Sequence, residues 1–262
     1  MFIDNPDYQQ HPIFEDLGKY FNFYKDLSFG VSHFISIGTI AMGNIDTQIF
    51  AAMGGTMDSM RALLLIGRIN DAYSLLRKFY DTAIINVYST LYLSDHLSTE
   101  NFIVTQINDW LEGKRKLPEY KEMSNYIGNH TRLKTFEGFF YKNDFYKRLR
   151  SRCNDQVHYN LYKYLLYNNN EVYLPQRLNQ LNQLKADVKN VIIMHLAYLF
   201  LLNPHYLASS DYADYLELNI TPPDGIENEV APFIQNIFDD VVKKHRPDIA
   251  KIILASTPMN LI

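Results

Sequence analysis

The sequence predicts an all-α, multi-helix bundle, and three observations carry that prediction. Apolar residues recur at spacings of three and four through most of the chain, and no segment alternates apolar and polar residues as a half-buried strand would. Helix-breaking residues are sparse, with 11 glycines and 10 prolines among 262 residues. Roughly eight to ten helices are expected, centred on segments near 45–93, 139–168 and 176–202. A single domain over 1–262 is the expected organisation, and a finer division would set a bundle core, 1–203, against an acidic helical extension, 204–262.

Taken in order, Pro12 suits the first turn of a helix running to about Leu27, with Phe14, Leu17, Phe21 and Tyr24 on one stripe. Val31–Ala41 reads as a short helix, with a strand the other option. Gly43 stops it, and Asn44 caps a helix over Ile45–Ile66. Gly54 and Gly55 fall in the middle of that helix, where the pair costs about 2 kcal/mol against alanine. A kink or the close approach of another backbone would explain them. Gly67 ends the helix, and Asn70 or Asp71 caps the next, whose stripe is Ala72, Leu76, Phe79, Ala83, Val87 and Leu91. Thr99 is placed as the cap of a helix through Trp110, closed by Gly113, and Lys114–Thr135 reads as short helices joined by loops. Beyond the central stretch, Pro175 opens a long helix from Gln176 to about Leu202, which Asn203 and Pro204 stop. Helices are then expected over Tyr206–Leu218 and Val230–Lys244.

The composition is that of an ordered globular chain, 47% hydrophobic and 14% aromatic. One cysteine, Cys153, cannot close an internal disulfide, and the opening MFIDNPDYQQHP has neither the basic nor the apolar part of a signal peptide. Cytoplasm is the expected location. The longest apolar run, Val191–Leu202, is too short to span a bilayer and holds His195, so no membrane association is expected and His195 reads as a satisfied core histidine. Charge is unevenly placed. Gly113–Arg152 carries eleven Lys/Arg, Lys142 among them, against four Asp/Glu, whereas Tyr206–Val242 has eight acidic residues and no Lys or Arg. Tyr120, Tyr126, Phe136, Phe140, Tyr141 and Tyr146 interleave the basic segment, a composition suited to single-stranded nucleic acid. A solvated face paired with the acidic tail accounts for it equally well.

Function is concentrated in Phe139–Asn168, where Lys147, Arg148, Arg150 and Arg152 precede Asn154, Asp155 and His158. An imidazole moves protons near neutral pH, and a guanidinium holds the charge of a pentavalent phosphate, so this pattern has the parts for phosphodiester chemistry. The span Arg152–Cys153–Asn154–Asp155–Gln156–Val157–His158 resembles the R-x(4–6)-H signature of the HEPN superfamily of helical bundles. Where that family often has Asn, Asp or His directly after the arginine, this chain has Cys153, with Asn154 one later. The stretch GRINDAYSLLRKFYD is also similar to a helix of bacterial families near that superfamily.

The resemblance implies a HEPN-like, metal-independent endoribonuclease that needs no cofactor and acts as a homodimer in a bacterial toxin or antiviral defence system, with RNA as substrate and an antitoxin or other protein as partner. It further implies that His158 is general acid or base for attack of a ribose 2′-hydroxyl, that Arg152 stabilises the phosphate charge, and that Asn154 orients the pair. Arg148, with Arg150 and Lys147, would hold the RNA backbone. Arg77 and Asp81, four apart, form either an intrahelical ion pair or a support in which Asp81 orients Arg152 or His158. On an unbroken helix the six steps from Arg152 to His158 turn the two side chains about 120° apart, so one phosphate needs a break between them or a two-fold partner. The contrasting reading of the same chain is a catalytically inert helical module, or regulatory subunit, that binds protein partners.

Overall fold

The computed structural model describes residues 1–140 and 144–262. Tyr141 and Lys142 of the basic aromatic segment lie outside them. The described residues are all-α, with no strand; one isolated antiparallel bridge joins Ala208 to Val230. The helices are α1 (Pro6–Gln9), α2 (Ile13–Gly30), α3 (Ile45–Leu65), α4 (Ile69–His96), α5 (Thr105–Leu111), α6 (Tyr120–Asn129), α7 (Lys134–Phe140), α8 (Phe145–Val157), α9 (Tyr162–Leu166), α10 (Arg177–Leu202), α11 (Asp211–Glu217), α12 (Pro232–Ile237) and α13 (Pro247–Ser256). A π-helical segment, Phe238–Lys243, continues α12. No helix among the described residues is long and apolar enough to cross a membrane.

The amphipathic stripes dictate the packing. The buried face of α4 includes Ala72, Leu76, Phe79, Ala83, Val87 and Leu91, the spacing expected of a helix with one core-facing side. α3, α6, α8 and α10 pack on α4, while α2 packs on α3, α12 packs on α2, and α13 and the π-helical segment pack on α10. The apolar end of α10 is enclosed, from Val191 to Phe200 without an exposed residue. One apolar core runs from Tyr8 to Leu261 and takes in Ile234, Phe238 and Ile253 of the C-terminal helices.

His195 is fully buried, as expected, and its partners are polar. The Tyr24 hydroxyl donates to Nδ1 (2.8 Å), so Nε2 carries the proton and donates to Asn86 Oδ1 (3.0 Å). Asn86 passes the chain to Asp46 (2.7 Å), which also accepts from the Tyr206 hydroxyl (2.9 Å). This chain ties α2, α3, α4, α10 and the Pro204–Leu207 turn together, and every polar group in it is satisfied. Burial pushes the His195 imidazole down to about 3 and the Asp46 carboxyl up to about 6.

Several local expectations are corrected. Val31–Ala41 is neither helix nor strand: side chains of Ser36, Thr39 and Asn44 bond nearby groups, and Gly38 sits at φ +93°. α4 begins at Ile69 without a side-chain cap, because Asn70 is buried and donates to Gln156 of α8 instead. Thr99 caps nothing; α4 runs on to His96 and α5 starts at Thr105. The Tyr206–Leu218 helix is broken by the Ala208 bridge, leaving α11.

Candidate functional site

α8 supplies every residue named by the Arg–His pattern, and its burial explains their placement. Tyr146, Leu149, Cys153 and Gln156 form the buried face. Lys147, Arg148, Ser151 and His158 are exposed on the opposite face, with Asn154 and Asp155 half-buried between them. Arg150 and Arg152 fall on the two flanks, about 160° apart around the axis. Each flank arginine is held by a neighbouring helix.

On one side, Arg152 donates from Nε (3.1 Å) and Nη2 (2.5 Å) to the two oxygens of Asp187 on α10. The Asp187 side chain is fully buried, whereas Arg152 keeps about a third of its side-chain surface exposed (34%). Gln183 donates a further bond to Asp187 (3.0 Å). Burial alone would lower the Arg152 pKa, but the hydrogen bond and charge of Asp187 outweigh it and raise it. On the other side, Arg150 pairs with Asp81 of α4 and lies over the Tyr120 ring of α6 (3.1 Å to the centroid). Arg77 reaches the same carboxylate (3.3 Å), while its Nε and Nη1 are buried with no hydrogen-bond partner among the described residues. Asp81 therefore makes the intrahelical pair and also crosses the bundle, but to Arg150, not to Arg152 or His158.

α8 is unbroken from Phe145 to Val157, and His158 is its C-cap. The close is a Schellman turn. Tyr159 is left-handed (φ 49°), its N–H donates to the Gln156 carbonyl (3.2 Å), and the Asn160 N–H donates to that of Asp155 (3.0 Å). The His158 N–H bonds the Asn154 carbonyl (3.0 Å), so Asn154 contributes its backbone to the helix end. With no break before His158, the rotation of about 120° between Arg152 and His158 stands. The structure thus brings Lys147, Arg148, Asn154 and His158 to one solvent-facing strip and turns Arg150 and Arg152 into clamps.

Cys153 is buried beneath the clamps, and burial pushes its thiol up to about 12, which removes it as a neutral-pH nucleophile. Among the described residues no three His, Cys, Asp or Glu side chains converge as a metal site. The interleaved aromatics serve packing more than stacking: Phe136, Phe140 and Tyr146 are core residues, and Tyr126 bonds Asp95. Among the described residues the ion pairs of the basic segment run to Glu112, α4 and α10, and none runs to the acidic tail.

A second surface was missed in the sequence because it lay in a segment read as helix. Ser36 and Gly43 are joined by a backbone hydrogen bond (3.5 Å), closing a compact loop after α2. Gly38 and Asn44 are buried anchors; the Gly38 carbonyl accepts from Val104 N (2.8 Å), and Asn108 Oδ1 accepts from Ile40 N (3.0 Å). Within residues 35–43, Ala41 packs against the core and the larger apolar side chains point outward. Ile35, Ile37, Ile40 and Met42 are exposed, Ile37 by 69% and Met42 by 99%, and Phe29 and Phe102 beside them are exposed as well. No Lys or Arg occurs from Asp26 to Met60 or from Leu97 to Gly113, and Glu100, Asp109 and Glu112 supply negative charge.

Against protein-family models, curated proteins and solved structures, the chain gave no match.

Proposed function

We propose that this chain is a non-catalytic, all-helical protein-interaction module that docks a partner on the loop after α2. One observation carries the reading: a hydrogen-bonded loop presents Ile35, Ile37, Ile40 and Met42 to solvent beside Phe29 and Phe102. Clustered exposed apolar side chains of this size mark interaction surfaces, and a loop pinned from within loses little entropy on binding. The surroundings favour a protein over a lipid surface, because peripheral membrane elements carry flanking Lys and Arg and this region has none. A partner with an apolar groove and a basic rim matches it, whereas a second copy would oppose acidic rim to acidic rim. Changing Ile37 and Met42 together to Glu tests the reading: both are exposed, so the unfolding midpoint is expected to hold while partner binding is lost. Retained binding would contradict it.

A HEPN-like endoribonuclease, an effector in a toxin or antiphage system, is the second reading, and the exposure of His158 on the strip with Lys147 and Arg148 favours it. RNA would lie along α8, with Lys147 and Arg148 on phosphates and His158 as acid or base, and a homodimer would have to bring a second chain's cation to the phosphate, since Arg152 is engaged by Asp187. Metal-free RNA cleavage by the wild type, lost in well-folded His158→Ala, would establish this reading. Absence of cleavage, or equal cleavage by the variant, would leave the interaction module.

A further inference from the structure

A further cleft is lined by residues of α2, α10, α12 and the π-helical segment. It encloses about 710 Å³ between α2, α10 and the π-helical segment, within the range that small-molecule sites occupy. Phe23, Phe233, Ile237 and Val241 give it an apolar wall, and Lys185, Lys189, Lys244 and His245 gather along it. The charges are unequally matched. Lys185 pairs with Asp16 (3.4 Å) and Lys19 with Glu15 (3.0 Å), whereas neither Lys189 nor Lys244 reaches a carboxylate among the described residues. Asp26 and Asp240, also on the lining, form no ion pair with them. Lys189 instead directs its ammonium at His245 Nδ1 (3.3 Å), an arrangement that requires a neutral imidazole.

The ammonium groups of Lys185, Lys189 and Lys244 repel one another. Burial first, then Lys189 and Lys244, hold the His245 imidazole below its ordinary value, and burial with Lys185 and Lys244 does the same to the Lys189 ammonium. A dianion placed among Lys189, Lys244 and His245 would relieve that repulsion and accept from all of them. The apolar wall would then face whatever the anion is attached to.

We propose that this cleft binds a phosphomonoester, with Lys189, Lys244 and His245 on the phosphate and the Phe233–Ile237–Val241 wall against an apolar or aromatic body. Inorganic phosphate and phenyl phosphate are the probes, titrated into the full chain while the His245 ring resonances are followed by NMR. Saturable shifts are expected with both, with phenyl phosphate binding at least about tenfold tighter, a difference of about 1.4 kcal/mol. Lys189→Ala, at a half-buried position, and Lys244→Ala, at an exposed one, are each expected to weaken phenyl phosphate at least tenfold with unchanged circular dichroism. Equal affinity for the two probes would overturn the organic body. No saturable shift, or equal binding by wild type and variants, would overturn the site. Neither outcome depends on the docking loop or on His158.

Discussion

At the scale of single residues, Arg152 and His158 separate by what surrounds them. Removing one partner of a buried ion pair leaves the other charge uncompensated, so Arg152→Ala is expected to destabilise the fold by about 3 kcal/mol, since Asp187 would stay buried. His158→Ala, at an exposed helix end, is expected to change stability by less than about 0.5 kcal/mol. Urea unfolding checks both, and equal effects would refute the clamp. The buried chain around His195 sets a pH dependence with two opposing parts. His195 has a depressed folded pKa of about 3, so the unfolded state takes up the proton first; its contribution is present above about 6.5 and is lost as pH falls. Asp46 has a raised folded pKa of about 6, so its ionisation costs stability as pH rises from about 4 to 6. Unfolding midpoints measured from pH 7 to 4 should therefore fall less steeply on acidification in a folded His195→Gln variant than in the wild type. The His195 environment was legible, because a histidine inside an apolar run must find buried partners. The Arg152 environment was not, since Asp187 lies 35 residues away and nothing local marks it as the partner.

At the scale of elements, the long helices were legible and the caps less so. Periodicity placed α2, α3 and α4 to within a few residues, because each buries a continuous stripe, whereas Pro175 and the Asn203–Pro204 stop bounded α10, whose apolar end is buried on every side. Asn44 was read correctly as a cap, and its side chain does accept from Asp46 N (3.0 Å). Asn70 was misread because its donors are claimed by Gln156 on another helix, a tertiary demand that cap chemistry alone does not reveal. The paired glycines of α3 divide in the structure. A methyl group on Gly54 would lie 3.4 Å from Tyr24 Cβ and 3.5 Å from the Phe21 carbonyl, so α2 passes close by, whereas Gly55 faces open space. Gly55→Ala is accordingly expected to stabilise by about 1 kcal/mol. Gly67→Ala should destabilise by at least about 1 kcal/mol, because φ is +81° and its Cβ would meet Ile3 at 2.7 Å. Thermal unfolding of the two variants reads the opposite signs.

At the scale of the whole molecule, the bundle engages Arg150 and Arg152 on the flanks of α8 and leaves Ile35, Ile37, Ile40 and Met42 exposed on a loop pinned from inside. The all-α class followed from periodicity because α2, α3 and α4 obey it. The loop did not, since Val31–Ala41 is apolar enough to pass for a helix and only Asn108, Val104 and Asn44 reveal that its backbone is held elsewhere. Its outward apolar face is the central claim. Site-specific photo-crosslinking in cells tests it most directly, with the crosslinker at Met42 and, as a control, at the exposed Tyr162 of α9. A discrete protein adduct from position 42, absent from position 162 and abolished by Ile37→Glu, is the predicted result. No adduct at position 42, or the same adducts from both positions, would contradict the account.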